Sequence, residues 1–479
     1  MDFLKKIIMK LGIKLLPRLR SYGFNVNRVQ GIDKQIFKLQ IIKDPNTRLH
    51  FAEQLVSIHP KHPKAHMALL QCMHKVSDIR EFSQMNRYVN VLQEWLSYNE
   101  LGELSDVEFI EQGMVVGSFG NHYAIETLLR ANKYGLRRVK KLLLLLPENA
   151  QLRNPALFSY FEPYINVIRD MESIQAMKGL ESLLALPLGV GLPMNDICPF
   201  LDIAANMAEV ERIKLELELP LFDLNEQHTD IGKHVLKKLG LPNDAWYITL
   251  HVREPGFRGE DINNTSEDSR NANPLDYLSA CKAVTSAGGW VFRMGDPSMT
   301  PLPPMSHVID YAHMDIRSDV MDIFLGATCR FLIGTASGFL RVPRYFGVPI
   351  IFTNCTSSVP YFSLVENDLY LPRLLKYQGN NQYVSFKEYM SPSMSMLNST
   401  QKFLKEGLEW IDNTPEELKD VTIEMLEKID GNSSSKSEDD RQRRFKIIAE
   451  NCGLKYGEHP VKAFASISNN FLHKHSNLL

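Results

Sequence analysis

Cysteine is scarce in this chain: six in 479 residues, none in a CxxC or CxxH pair. Cys72, Cys198, Cys281, Cys329, Cys355 and Cys452 stand far apart, which argues against zinc and against a disulfide framework and suits a reducing cytosol. No apolar run approaches the roughly 20 residues needed to span a bilayer. The net charge of −2 supplies no overall attraction to nucleic acid. A DxD-type acid pair for a metal-bound diphosphate is also lacking. What is present is ordinary for a globular protein, 44% hydrophobic and 23% charged residues. The length is enough for two to four domains, each with a sizeable core.

The first twenty residues carry Lys5, Lys6, Lys10, Lys14, Arg18 and Arg20 against a single acid, Asp2. Lys6, Lys10 and Lys14 recur at four-residue spacing, with Leu4, Ile8, Leu11 and Leu15 on the other side of a helix. The lysines interrupt any signal-peptide core. A basic amphipathic helix of this kind either lies on an anionic membrane surface or docks on its own protein with its lysines in solvent. Residues from about Arg28 to Asn99 read as helical. Ala52, Ala65 and Ala68 flank a turn marked by Pro60 and Pro63, like one joint of a tetratricopeptide-type helix pair. A helical domain is expected over 1–105.

Near Leu101 the pattern changes to short apolar runs between helical stretches, the mark of a parallel sheet covered on both faces. MVVGS (Met114 to Ser118) reads as a strand, followed by a Gly120-Asn121 turn and a helix from His122. KKLLLLLP and INVIRD give further strands, and a helix through AEVERIKLELELP closes a first Rossmann-like domain over 106–235. A second is expected over 236–430, with strands at Trp246–Val252, Trp290–Met294, His307–Ile309, Phe331–Ile333 and Pro349–Thr353. Polar DGNSSSKSEDD then leads to terminal helices, making 431–479 a linker and tail. The fold class is α/β, two doubly wound Rossmann-like domains after an all-helical one.

The stretch FLIGTASGFLRVPRYFGVPIIFTN (Phe331 to Asn354) organises the second domain. Its strand, small-residue turn and short helix suit close approach of backbone N–H groups to an anion. The bland reading is a tight strand-to-helix connection. Pro343 must fall in the first helical turn. The strand Trp246–Val252 delivers His251 and Arg253 to its carboxyl end on one side. Arg270 and Asn271 lie in the polar loop after it, and Gly295 and Asp296 form the turn after the next strand. Asp296 either accepts ribose hydroxyls or is an exposed turn residue. Asp319 and Asp322, in the helix before the organising strand, are capping or salt-bridge candidates.

Together HVRE, DSRN, FRMGD, DIRSDVMDIFL and IGTASG, in this order, resemble a family of bacterial glycosyltransferases of the two-Rossmann-domain (GT-B-like) type, seen in surface-polysaccharide settings. The resemblance spans roughly residues 110 to 400. The His-x-Arg strand end also resembles that of fucosyltransferases of this fold, whose arginine meets the donor diphosphate. The resemblance implies a metal-independent transfer from a nucleotide-sugar, a co-substrate with no bound cofactor, to a surface polysaccharide, glycolipid or glycoprotein. Arg253 would stabilise the leaving diphosphate, and Arg270, Asn271, Gly295, Asp296, Thr335, Ser337 and Gly338 would bind donor. His251 would touch a phosphate or the sugar, or else be a buried structural residue. His122, where such enzymes place acceptor-side groups, would be a general base or a solvent-exposed helix start. The expected location is the cytoplasm, with peripheral contact on the inner face of the membrane through residues 1–20. Two other readings stay open: a polysaccharide pyruvyl transferase-like enzyme, and a non-catalytic helical-repeat interaction protein.

Overall fold

The computed structural model describes residues 32–76, 81–99, 102, 104, 107–136, 141–184, 190–191, 197–198, 201–255, 265–379, 382–395, 397, 399–431, 439–456 and 459–479. The basic stretch 1–20 and residues 432–438 of the linker lie outside them. Two compact units divide the chain: Met1–Gly117 with Thr127–Arg153 and Phe161–Leu201, and Ser118–Glu126 with Asn154–Tyr160 and Asp202–Leu479.

The first unit opens with helices α1 (Ile32–Ile41), α2 (Pro45–Ile58), α3 (Pro63–Val76) and α4 (Glu81–Tyr98). Asp44 caps α2 by accepting the Thr47 N–H at 2.7 Å, with Pro45 at the first helical position. Ala52, Leu55, Ala65, Ala68 and Cys72 are buried in one shared core, so the small residues flanking Pro60 and Pro63 do form a helix–helix seam. A parallel sheet follows, β1 (Val107–Ile110), β2 (Lys141–Leu145) and β3 (Asn166–Ile168), in chain order.

Two expectations fail here. Met114 to Ser118 is not a strand: Gly113–Val116 is a helical turn closed by the Gly117 N–H on the Gly113 carbonyl at 3.1 Å. The strand is VEFI, whose buried Glu108 breaks the apolar run that the sequence pattern seeks. The sheet also does not reverse direction among the described residues, so it is not doubly wound. The unit boundaries differ as well. α5 (Leu201–Lys214), after its first residue, and α6 (Glu226–Lys238) belong to the second unit instead of closing the first.

The second unit holds a seven-stranded sheet. Its strands are β4 (Tyr247–His251), β5 (Trp290–Arg293), β6 (Val308–Ile309), β7 (Leu332–Gly334), β8 (Ile350–Cys355), β9 (Leu369–Pro372) and β10 (Ser466–Ile467), with α7 (Leu278–Ser286) and α8 (Asp319–Thr328) between them. The spatial order is β10-β9-β8-β7-β4-β5-β6, with every pair parallel. The chain therefore moves outward from β4 through β5 to β6, then returns to the other side of β4 for β7 onward. This is a doubly wound sheet, and its direction reverses between β4 and β7. Val342–Tyr345 begins a helical turn with Pro343 near its start, where a missing N–H costs nothing. The tail is not a separate domain: β10 pairs with Leu369 and Tyr370 at the sheet edge. Two residues are too short a strand to show as a pattern.

α9 (Pro415–Ile429) packs along α7 behind the sheet. Its N-terminus is a capping box: the Thr414 hydroxyl accepts the Glu417 N–H at 3.2 Å, and the Glu417 carboxylate accepts the Thr414 N–H at 2.9 Å. Thr414→Ala should lower stability by about 1 kcal/mol in urea unfolding; an unchanged midpoint would show that the cap does not anchor α9.

Candidate functional site

The reversal point brings two carboxyl ends side by side. His251 pairs with Gly334 in register. Past that pair the strands diverge, and two bonds span the gap: the Thr335 N–H donates to the His251 carbonyl at 3.1 Å, and the Arg253 N–H donates to the Thr335 hydroxyl at 2.8 Å. In a doubly wound sheet this crevice is where ligands collect.

The loop after β4 returns to the same place. Arg253 Nη1 donates to the Asn271 side-chain oxygen, Arg270 Nε donates to the Ala336 carbonyl at 3.0 Å, and Asn271 Nδ2 donates to Asp268 at 3.3 Å. Arg253, Arg270, Asn271 and Thr335 thus meet at one turn, as expected from the sequence. Thr335 is fully buried and its hydroxyl is committed to Arg253, so it latches the turn.

Two arginines given no role from the sequence, Arg293 within FRMGD and Arg373, hold this arrangement in place. Arg293 ends β5 fully buried; it donates to Glu254 at 2.7 Å, to Asp310 at 3.3 Å and to the Thr300 carbonyl at 3.0 Å. Arg373, just past β9, has a fully buried side chain and donates to the Ser269 carbonyl at 2.5 Å, to Thr356 at 3.0 Å and to the Asn271 carbonyl, with Asp412 as its ion-pair partner at 2.7 Å. Buried cations with several acceptors each are what fix a polar loop in place. Their sequence signal was an arginine inside an apolar run, WVFR and LPRLL.

Three polar atoms around the crevice are enclosed and meet no hydrogen-bond partner among the described residues: His251 Nδ1, Asp296 Oδ2 and Ser337 Oγ. His251 ends β4, and Asp296 and Ser337 follow β5 and β7. The other Asp296 oxygen accepts the Ser298 N–H at 2.8 Å. The His251 ring stacks on Phe339, centroids 5.6 Å apart. Burial first, then the nearby Arg293 guanidinium and least of all Arg253, push the His251 pKa down to about 4; its own backbone and Asp296 act the other way, each more than Arg253 does.

Several expected roles change. Gly295 has φ +148°, and a Cβ there would lie 2.2 Å from Met299 Sδ, so the turn itself requires this glycine. A Cβ on Gly338 would lie 2.5 Å from the Gly120 nitrogen and 2.8 Å from Phe119 Cβ. Its smallness admits the Phe119–Gly120 backbone, a packing reason for glycine at this position. His122 is neither at a strand end nor in solvent. It is fully buried at the start of His122–Lys133, and burial pushes its pKa down to about 4 against backbone bonds at Ser118 and Phe119. A buried histidine so placed is not a general base for an outside acceptor. Asp322 accepts from the Tyr311 hydroxyl at 2.9 Å, and Ser318, not Asp319, caps α8. Among the described residues no group of three or more His, Cys, Asp and Glu could hold a metal, and no helix is long and apolar enough to cross a membrane.

No family model matches this chain, and no curated protein does. Solved structures do match. The E. coli ADP-heptose LPS heptosyltransferase II aligns over 67% of this chain and 99% of its own, at 11% identity and a TM-score of 0.37. The glycosyl transferase family 9 protein of Veillonella parvula covers 56% and 85%, at 12% identity and 0.34. E. coli heptosyltransferase WaaC, solved with ADP, covers 67% and 99%, at 10% identity and 0.32. Likenesses this low in identity and score carry no weight for the site, whose reading rests on its own geometry.

His122 and His251, the two histidines whose pKa values fall furthest, make stability depend on pH, and the buried His66 and His228, also lowered, act in the same direction. In the unfolded chain His122 and His251 each take up a proton near the ordinary value of 6.5, but in the folded chain only near about 4. The unfolded state then binds more protons between these values, so stability falls as pH drops from about 6.5 toward 4 and is flat with respect to these groups above that. The loss of melting temperature between pH 7 and pH 5 should be smaller in His122→Gln than in wild type. An equal loss would mean that His122 is charged in the folded protein.

Proposed function

We propose that this chain is a glycosyltransferase that takes a sugar from a nucleotide-sugar donor, bound in the second unit, and passes it to a surface polysaccharide, glycolipid or glycoprotein acceptor. One observation carries the reading: at the point where the sheet reverses direction, the Arg253 backbone N–H is tied to Thr335 and its guanidinium to Asn271, while the Arg270 guanidinium is tied to the Ala336 carbonyl. When the bond from sugar to diphosphate breaks, negative charge grows on the leaving phosphate. Guanidiniums fixed beforehand at that spot lower the barrier because they need no reorganisation as the charge appears. They supply by charge what a divalent cation supplies elsewhere, which is why the proposal includes metal independence. Ser337 Oγ, enclosed and unpartnered among the described residues, adds a directional donor beside them. The base that activates the acceptor is not assigned to His122, for the reasons above.

Thermal stabilisation by UDP, GDP, ADP, CMP, dTDP and phosphoenolpyruvate, on wild type and Arg253→Ala, tests this. A ligand at 100 times its dissociation constant adds about 2.7 kcal/mol of apparent stability. One nucleotide should stabilise wild type, and Arg253→Ala should lose most of that gain, each protein being referred to its own unliganded melting temperature. A response to phosphoenolpyruvate alone would replace the proposal with pyruvyl transfer. No response to any of the six would favour a non-catalytic role.

A further inference from the structure

We infer that His251 is a recognition residue for a hydroxyl group of the donor, taken at its enclosed Nδ1, and is neither a general base nor a phosphate-binding cation. The inference rests on the nucleotide-sugar reading above and adds the chemistry of one contact to it.

Position comes first. His251 is the last residue of β4, and its carbonyl is held by the Thr335 N–H at 3.1 Å, so the backbone cannot swing. The ring is held by its stack on Phe339, which opens the short helix Phe339–Arg341 after the turn. A ring fixed at both ends presents Nδ1 in one direction. That atom is buried and forms no hydrogen bond of acceptable geometry with any described residue. An unsatisfied buried imidazole nitrogen costs about 1–3 kcal/mol, so its persistence at the sheet's carboxyl edge calls for a partner that arrives with the ligand.

The surroundings then select the partner. The charged groups facing the ring are Arg293 from β5, Arg253 from the segment after β4, and Asp296 from the turn after β5. Burial above all, and Arg293 next, keep the imidazole uncharged against the opposing pull of Asp296, so it brings no charge to a phosphate. A phosphate oxygen only accepts hydrogen bonds, and two guanidiniums already serve that need. A neutral imidazole has one donor and one acceptor nitrogen, and a hydroxyl satisfies either tautomer because it both donates and accepts. Asp296 Oδ2, also enclosed and unpartnered among the described residues, accepts from a hydroxyl as well. Its turn follows β5, whose Arg293 pairs in register with Leu250, the residue before His251. Two hydrogen-bonding atoms from adjacent strand ends suit a hydroxyl-rich part of the donor. The hydroxyl belongs either to the ribose or to the transferred sugar.

Two variants separate the chemistry from the fold. His251→Phe keeps a ring to stack on Phe339 and removes Nδ1. His251→Asn places a polar atom near the Nδ1 position. Calorimetric dissociation constants are measured on the full chain with ADP, GDP, UDP and CDP, their 2′-deoxy and 3′-deoxy forms, and ADP-glucose, GDP-mannose and UDP-glucose as probes. For a ribose contact, His251→Phe weakens the bound ribonucleotide about tenfold, the worth of one buried hydrogen bond, and leaves unchanged whichever of its 2′-deoxy and 3′-deoxy forms lacks the contacted hydroxyl. For a sugar contact, the same loss appears with a nucleotide-sugar and not with the bare diphosphate. In either case His251→Asn recovers most of the affinity, and wild-type affinity stays flat between pH 5.5 and 8. If His251→Phe binds every probe as wild type does, or weakens all of them alike, the inference falls while the nucleotide-sugar reading stands. If wild type binds none of the probes, both fall together.

Discussion

Everything proposed for this protein depends on how β4 and β7 are joined at their carboxyl ends. The two strands run parallel and end together at His251 and Gly334. Parallel strands that end side by side leave N–H and carbonyl groups exposed at the crevice, and each must find a partner. Here the Thr335 N–H takes the His251 carbonyl, and the Thr335 hydroxyl takes the Arg253 N–H. That short latch sets the direction in which both loops leave the sheet, and so where Arg253, Ser337 and the ring of His251 lie.

A latch of two bonds would not hold charged loops by itself. Arg293 and Arg373 bury their side chains completely and spend their donors on backbone carbonyls and carboxylates of those loops. Removing a guanidinium from water is costly, and losing one partner from such a set leaves an uncompensated charge inside. The gain is specificity of geometry: Glu254, Ser269 and Asn271 each have one place to be. A third arginine, Arg341, works alike on the other side of the turn. It lies over the Tyr123 ring at 3.7 Å and donates to Asp202 and Ser363, both at 2.9 Å. Tyr123 and Gly120 belong to one short segment, so this contact helps seat the backbone that packs on Gly338.

Much of the second sheet was legible in the sequence because its strands are buried on both faces. Strands so placed read as short apolar runs with polar residues gathered toward their carboxyl ends, and YITLH, WVFR and IIFTNC all show it. The convergence of Arg253, Arg270, Asn271 and Thr335 was legible too, since residues at the carboxyl ends of neighbouring parallel strands must share a crevice. β1 was not, because Glu108 stands in the middle of four buried residues. β10 was not, because its partner strand, not its own two residues, makes it a strand. Gly338 was given to the ligand because sequence shows that a glycine is small but not what it leaves room for. His122 was misplaced for a related reason. A histidine after Gly-Asn reads as a surface helix start, and only the packing of Ser118–Glu126 within the second unit buries it.

The most direct test of this account is a co-crystal structure of the full chain with the nucleoside diphosphate that stabilises it most. In it the diphosphate should lie at the end of β4 and β7, with its oxygens about 3 Å from the guanidinium of Arg253 or Arg270. A diphosphate bound well away from both arginines, with the Thr335 turn unoccupied, would contradict it.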